Sequence, residues 1–296
     1  MKANMLAIAF LLVAGVADGQ SVLGWGEITE LTGLPSQSSV ISAYSNGHGQ
    51  HVLVGLGGGG VDYFLLDNDG SVLNDSPAPF PISAGSTSAS ITGYDGVVYV
   101  AIELGDGTIR VFWSTTGGAT WQSSASYSPP GTVANLDASA DLFGVHIAWD
   151  TEGTSNSEIY YVRYEPFANR FVYPQHITNM GLVTGRFPKV VTTANNLVVS
   201  FATTHLEGND RGGSRDASLS FGQPSWEADA RLTPILPVDF ANQSIAALGN
   251  TLHILLFQNT ESGHAKIYSS SRTLEPSADW NTPTELETDN RRRHEL

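Results

Sequence analysis

The stretch WSTTGGATWQSS, from Trp113 to Ser124, decides the fold. It places a Gly-Gly pair and several Ser and Thr residues between two Trp residues. Such a cluster of turn-forming residues between aromatic positions is typical of a β-hairpin. This hairpin is either single or one copy of a motif that repeats along the chain, and the rest of the sequence distinguishes the two cases.

Five short apolar runs recur along the chain at a nearly regular spacing. HVLVGL begins at 51, VVYVAI at 97, VHIAW at 145, LVVSF at 197 and LHILLF at 252, so successive starts are 46, 48, 52 and 55 residues apart. Each run is rich in β-branched and aromatic residues and predicts a buried strand. A weaker alternating strand precedes each run, and a third strand follows it after a polar loop.

An aromatic residue begins the fourth strand of most units, at Trp25, Trp121, Phe171, Trp226 and Trp280. Six residues further on stand Leu31, Tyr127, Ile177, Leu232 and Leu286. A repeating unit of four short strands is the signature of a β-propeller blade. The sequence therefore predicts an all-β propeller of five four-stranded blades, with a six-bladed ring containing one reduced blade as the alternative.

Residues 1–19 have the pattern of a secretory signal peptide, with Lys2 ahead of an apolar segment that ends near the small residues Ala17 and Gly19. We expect a secreted protein with one propeller domain at 20–288 and a charged tail at 289–296. No later segment is apolar for long enough to span a membrane. The chain has no Cys, so a large core must stabilise the domain without disulfides.

Acidic residues outnumber basic residues by 29 to 14, which gives a formal net charge of −15. No Lys or Arg occurs between residues 20 and 109. Such a surface repels phosphate backbones, which argues against nucleic acid as a partner. We expect a monomer whose partner is not a nucleic acid.

The octapeptide Ser114–Trp121 resembles the Asp-box of the sialidase (neuraminidase) superfamily, which reads Ser-x-Asp-x-Gly-x-Thr-Trp at the same hairpin. The positions that carry the resemblance are Ser114, Thr116, Gly118, Thr120 and Trp121, with Thr116 in place of the Asp. An Asp there would accept backbone N–H bonds across the turn, and a Thr does so more weakly. The resemblance implies a BNR-repeat propeller with degenerate Asp-boxes, in which the box is structural and lies opposite the active site.

Sialidase chemistry requires more than the fold. Family members clamp a substrate carboxylate with three Arg residues, and they use a Tyr–Glu pair as nucleophile and an Asp as acid/base. The first of those Arg residues belongs to an early Arg-Ile-Pro motif, whereas here the similar Arg186-Phe187-Pro188 lies in the fourth unit. The favoured hypothesis, from the signal peptide, the propeller, the degenerate Asp-box and the missing early Arg, is a carbohydrate-binding or adhesion module whose ligand is a glycan or another molecule of the extracellular surface. The alternative is a glycoside hydrolase, either sialidase-like or of the five-bladed type with a carboxylate pair.

Loops between the second and third strands share one face of a propeller with the starts of the first strands. Polar residues at this face form the default ligand-binding hypothesis, and the candidates are Glu103, Asp106, Asp150, Glu152, Arg186, His205, Glu207, Asp210, Glu261 and His264. Catalytic roles are not assigned. No cofactor is required, although calcium suits oxygen ligands such as Asp150 and Glu152. His48 and His51 fall in a predicted turn and are interpreted as surface residues.

Overall fold

The computed structural model describes residues 39–56, 60–67, 71–73, 88–151, 157–178, 183–193, 195–205, 213–220, 230–231, 240–259, 265–274 and 278–286. Within these ranges every regular element is a β-strand, and the strands form five antiparallel sheets in chain order. The five sheets are the blades of a five-bladed β-propeller, which confirms the predicted fold.

Each blade consists of consecutive strands. Blade 1 contains β1 (Ser39–Asn46), β2 (Gly49–Gly55) and β3 (Val61–Leu66). Blade 2 contains β4 (Ala89–Tyr94), β5 (Val97–Glu103), β6 (Ile109–Ser114) and β7 (Gln122–Ser123). Blade 3 contains β8 (Val133–Asp141), β9 (Gly144–Thr151), β10 (Ile159–Glu165) and β11 (Arg170–His176). Blade 4 contains β12 (Val183–Thr192), β13 (Asn196–His205), β14 (Gly213–Ser220) and β15 (Ala230–Arg231). Blade 5 contains β16 (Phe240–Leu248), β17 (Thr251–Asn259), β18 (Ala265–Thr273) and β19 (Thr284–Leu286).

Blade 1 differs from the other four blades in its described part. Its sheet has three strands, and an isolated bridge between Leu66 and Val72 adds a further antiparallel contact to β3. The N-terminal segment around Trp25, which was predicted to form an extra outer strand, lies outside the described residues.

Hydrophobic clusters fill the space between neighbouring blades. One cluster joins Leu53 and Tyr63 of blade 1 to Ile91 and Val100 of blade 2. Equivalent clusters join blade 2 to 3, blade 3 to 4 and blade 4 to 5. The second strands of blades 2 to 4 lie between two such clusters and are buried on both faces over most of their length, which explains why they read as continuous apolar runs in the sequence. In blade 5, β17 alternates between buried and less buried residues and exposes His253.

The first strands of successive blades lie side by side and line the central channel. Side chains of one first strand accept hydrogen bonds from backbone N–H groups of the next. Ser88 Oγ accepts from the Leu136 N–H at 2.6 Å, and Ser90 Oγ accepts from the Ala138 N–H at 3.1 Å. This lateral ladder satisfies backbone donors that no neighbouring strand of the same sheet can reach.

Three of the residues six positions after the aromatic starters are described, and they have a common structural role, whereas Leu31 and Leu232 lie outside the described residues. The backbone groups of Tyr127 and Ile109 exchange two hydrogen bonds of 2.8 Å, and the Ile177 N–H donates to the Ile159 carbonyl at 2.9 Å. Leu286 pairs with Ile267 in blade 5. The spacing seen in the sequence is thus the register that attaches each outer strand to the start of the third strand.

Candidate functional site

A cavity of about 200 Å³ opens at the centre of the ring, at the end where the first strands begin. We call this end the mouth. The first strands of blades 1 to 4 contribute its walls, including Ser42, Ser88, Asp137, Phe187 and Lys189. It is a concave and mainly polar cavity, with Phe187 as an aromatic group on its wall.

β-Bulges shape this cavity. The register of the first strand shifts between Val40 and Ser42 in blade 1, and similar shifts occur in β8, β12 and β16. Two bulge residues, Asn135 and Phe187, have positive φ values of 44° and 54°. Such backbone geometry is uncommon for residues other than Gly and is often found at functional sites. The bulges direct side chains of the first strands into the mouth.

Asp137 is the central carboxylate of the cavity wall. Its Oδ1 accepts a hydrogen bond from Ser90 Oγ at 3.1 Å and lies 3.7 Å from Lys189 Nζ. Its Oδ2 accepts the Val190 N–H at 2.8 Å. These contacts, from blades 2 and 4, fix the carboxylate in one orientation while its side chain keeps 17 % of its surface exposed. Asp137 is not among the residues predicted from the sequence, which lie in the loops or near the start of a first strand.

Glu103 lies close to the same wall. It is the last residue of β5 and is buried, and its N–H donates to the Ser88 carbonyl at 2.9 Å. The hydroxyl of Ser88 also holds the Leu136 N–H, one residue before Asp137. Ser88, which lines the cavity, therefore links the backbone at Glu103 to the backbone beside Asp137, although Glu103 itself does not line the cavity.

Asp150 has a different position from the exposed loop that the sequence suggested. It lies within β9 and is fully buried. Asn135 Nδ2 donates to both of its oxygens, at 3.2 and 2.9 Å, and the Phe187 N–H donates to Oδ2 at 2.8 Å. This carboxylate holds two bulges together across the boundary between blades 3 and 4.

The remaining candidates are dispersed. Asp106 lies in an exposed turn, where its carboxylate accepts hydrogen bonds from the Thr108 hydroxyl and N–H, and these bonds lower the pKa of Asp106. Arg186 is exposed on β12, and His205 ends β13. The predicted residues Glu152, Glu207, Asp210, Glu261 and His264 lie outside the described part of the chain. Among the described residues no group of three or more His, Asp or Glu side chains could hold a metal ion.

The hairpin that resembles an Asp-box lies at the end of blade 2 opposite the mouth. Ser114 Oγ accepts the Gly118 N–H at 2.8 Å, and Thr116 Oγ1 accepts the Thr120 N–H at 2.9 Å. The ring of Trp121 packs edge-on against Tyr63 of blade 1 at 5.1 Å between centroids. Thr116 thus accepts a backbone bond across the turn, and the hairpin helps to join two blades.

The interpretation of His51 as a surface residue is wrong. His51 lies within β2 and is fully buried, with Nδ1 2.7 Å from the Tyr63 hydroxyl and Nε2 3.1 Å from Asn46 Oδ1. Burial, together with the nearby His48, lowers the pKa of His51 to about 4. His48 does lie in the exposed turn. Blade 3 contains an equivalent arrangement around His146, so a comparison of repeats could have revealed a buried position.

No family model matches the chain, and a search of curated proteins found no significant match. Solved structures do match. The α-L-arabinofuranosidase Arb93A from Fusarium graminearum has a TM-score of 0.52 at 12 % identity, over 69 % of this chain and 67 % of that one. An exo-β-1,3-galactanase from Phanerochaete chrysosporium has a TM-score of 0.52 at 12 % identity, over 84 % and 62 %. A GH43 endo-arabinanase from Bacillus licheniformis has a TM-score of 0.47 at 12 % identity, over 81 % and 95 %.

These comparisons establish the fold of the described chain as one that glycoside hydrolases also adopt. The chain spans less than two thirds of the length of the galactanase. At 12 % identity the two structures with TM-scores of 0.52 show a shared fold alone, and that fold does not single out the sialidase superfamily. Among the described residues, no helix is long and apolar enough to cross a membrane.

Proposed function

We propose that the protein is a glycoside hydrolase whose active site is the mouth of the central channel. The observation that carries this proposal is Asp137, a carboxylate fixed on the cavity wall with part of its surface open to a ligand. We assign Glu103, whose N–H donates to the carbonyl of the cavity residue Ser88, as the second carboxyl group. Most glycoside hydrolases use such a pair on either side of the scissile bond. The fold shared with an arabinofuranosidase and a galactanase supports the same class of reaction.

The surroundings of the two carboxyl groups suggest their roles. Asp137 accepts hydrogen bonds from Ser90 and the Val190 N–H and lies near Lys189, which suits a group that acts as an anion. It would therefore serve as nucleophile or as general base. Glu103, which is shielded from solvent, would protonate the leaving-group oxygen. A separation of about 5–5.5 Å between the two groups would give retention at the anomeric carbon, and about 6.5–9.5 Å would give inversion.

The test is turnover of short arabino- and β-1,3-galacto-oligosaccharides and a panel of aryl glycosides, including sialosides. Asp137→Asn and Glu103→Gln should each lower turnover by at least about 100-fold, because each removes an acid/base or nucleophilic group. Asp279→Asn, an exposed carboxylate of blade 5, is the matched control and should keep full activity. Equal activity in all variants would refute the assignment.

A non-catalytic glycan-binding module is the second candidate function. It is favoured by the small polar residues Ser42 and Ser88, which occupy the cavity wall in blades 1 and 2 where carboxylates could have stood. Binding on a glycan array without turnover of any substrate would select this alternative. In either case we propose that the protein acts outside the cell, and an N-terminus near Gln20 in the protein isolated from the medium would support that location.

A further inference from the structure

An exposed aromatic surface lies on the outer part of blade 3, away from the mouth. Tyr173 of the outermost strand is 61 % exposed, and Phe143, in the turn between β8 and β9, is 41 % exposed. The guanidinium carbon of Arg163 lies between them, 4.9 Å from the centroid of Tyr173 and 6.0 Å from that of Phe143. We call these three residues the blade 3 platform. Leu142, beside Phe143, and Phe167, in the turn between β10 and β11, are also exposed.

The platform is held rigid from one side. Arg163 donates a hydrogen bond of 2.6 Å to Glu165 Oε1, and Arg170 donates one of 3.0 Å to Glu165 Oε2. The shared Glu165 fixes the guanidinium that supports the ring of Tyr173. Because the carboxylate is paired with both Arg side chains, the platform does not offer a free cation cluster to an anionic ligand. What the platform offers to a ligand is the flat ring of Tyr173, with the hydrogen-bonding groups of Glu165 and Arg170 nearby.

The backbone at Tyr173 is strained. Its φ is +53°, although a bulky side chain disfavours this region and the following Pro174 normally keeps the preceding residue extended. The strain lies at a bulge, where the pairing of β10 and β11 shifts between Tyr161 and Arg163. A bulge and a Pro also prevent another strand from adding to this edge. The platform is therefore suited to recognition by side chains and not by strand pairing.

We propose that the blade 3 platform is a secondary binding surface for a neutral polysaccharide, which rests on the proposed function at the mouth. The C–H face of a sugar ring stacks on the electron-rich face of an aromatic ring, and Tyr adds a hydroxyl at its edge. Arg170 and Glu165 provide donors and acceptors for sugar hydroxyl groups beside the ring. Tyr173 lies on the outermost strand of its blade and is mostly exposed, so a ligand can reach its ring from solvent. Such a surface would keep the enzyme on a polymer between cleavage events.

The experiment is native affinity electrophoresis in gels that contain arabinan, β-1,3-galactan or xylan. The wild-type protein should be retarded by at least one of these polymers. Tyr173→Gly removes the ring and relieves the positive φ, so binding should weaken about five-fold or more. Its Tm should stay within about 3 °C of the wild type, because one exposed side chain is lost and the strain is relieved. Tyr94→Ala, another exposed Tyr in blade 2, is the matched control and should bind normally.

Retardation of Tyr173→Gly equal to that of the wild type would overturn the proposal. So would a dimer, detected by sedimentation, that Tyr173→Gly dissociates, because the platform would then be an interface between copies. Failure of the hydrolase proposal is recognised separately. Retardation that depends on Tyr173 in a protein without turnover would retain the platform and reject the enzyme. If the protein turns over a substrate equally well with and without Tyr173→Gly, and no polymer retards it in the gel, the enzyme proposal is retained and the platform is rejected.

Discussion

A buried ion pair joins blades 4 and 5, and its removal should be strongly destabilising. Arg272 Nη2 donates to Asp216 Oδ2, and Trp280 Nε1 donates to Asp216 Oδ1 at 3.1 Å. The guanidinium also lies over the ring of Trp280, 5.5 Å from its centroid. The side chains of Asp216 and Arg272 are only 1 % and 8 % exposed, so water cannot replace a lost partner.

The perturbation is Asp216→Asn, which keeps the shape of the side chain and removes its charge. An Asn oxygen can still accept one hydrogen bond, but Arg272 is left as a buried charge without a counter-ion. Removing one member of a buried pair costs about 3–5 kcal/mol in stability. For a domain of this size that free energy corresponds to a fall in Tm of roughly 6–20 °C.

The assay is urea unfolding followed by circular dichroism, with the free energy taken by linear extrapolation. The control is Glu285→Gln, which breaks the exposed pair with Lys266 and should leave the free energy of unfolding almost unchanged. Adding Arg272→Met to Asp216→Asn should recover much of the loss, because the unpaired charge is then gone. A loss no larger than that of Glu285→Gln, or no recovery in the double variant, would refute the reasoning.

Three further predictions concern stability. Because the pKa of His51 is lowered to about 4 in the folded protein, the unfolded chain binds a proton at a higher pH than the folded chain does. The contribution of His51 to stability should be complete above about pH 6.5 and should decrease as the pH falls towards 4. Urea unfolding midpoints of the wild type and of His51→Gln, measured across this pH range, test this prediction. Gly118→Ala should cost about 2–3 kcal/mol in thermal unfolding, because φ is +94° and the new Cβ would overlap the Tyr63 hydroxyl, whereas Gly47→Ala meets open space and should be nearly neutral. Thr116→Val should lower stability by about 1 kcal/mol and Thr116→Asp should raise it, as calorimetry would show, since the side chain accepts a backbone N–H across the hairpin.

The fold was predictable because the burial of second strands between blades produces an apolar run that repeats along the sequence. A second strand between two blades is buried on both faces, so runs such as VVYVAI contain almost no polar residue. The outer strands were predictable from a single register, in which Tyr127 and Ile177 pair with the start of the third strand. Local sequence patterns express both features directly.

The candidate site was predictable only in part, because its geometry depends on contacts between blades. Glu103 is buried at the end of β5 and does not line the cavity. Asp150 is buried as well, and it accepts hydrogen bonds from Asn135 and the Phe187 N–H, which lie on other strands. Asp137 was missed because a carboxylate inside an alternating strand resembles an ordinary polar position. His51 was misplaced because its partner Tyr63 lies 12 residues away on another strand.

We propose above all that a sugar is cleaved between Glu103 and Asp137 at the mouth of the channel. A crystal structure of Asp137→Asn soaked with an arabino- or β-1,3-galacto-oligosaccharide tests it most directly. The account predicts a sugar ring in the cavity against Phe187, with the side chains at positions 103 and 137 about 5–9.5 Å apart on either side of a glycosidic bond. A larger separation, or an oligosaccharide bound only outside the channel, would contradict it.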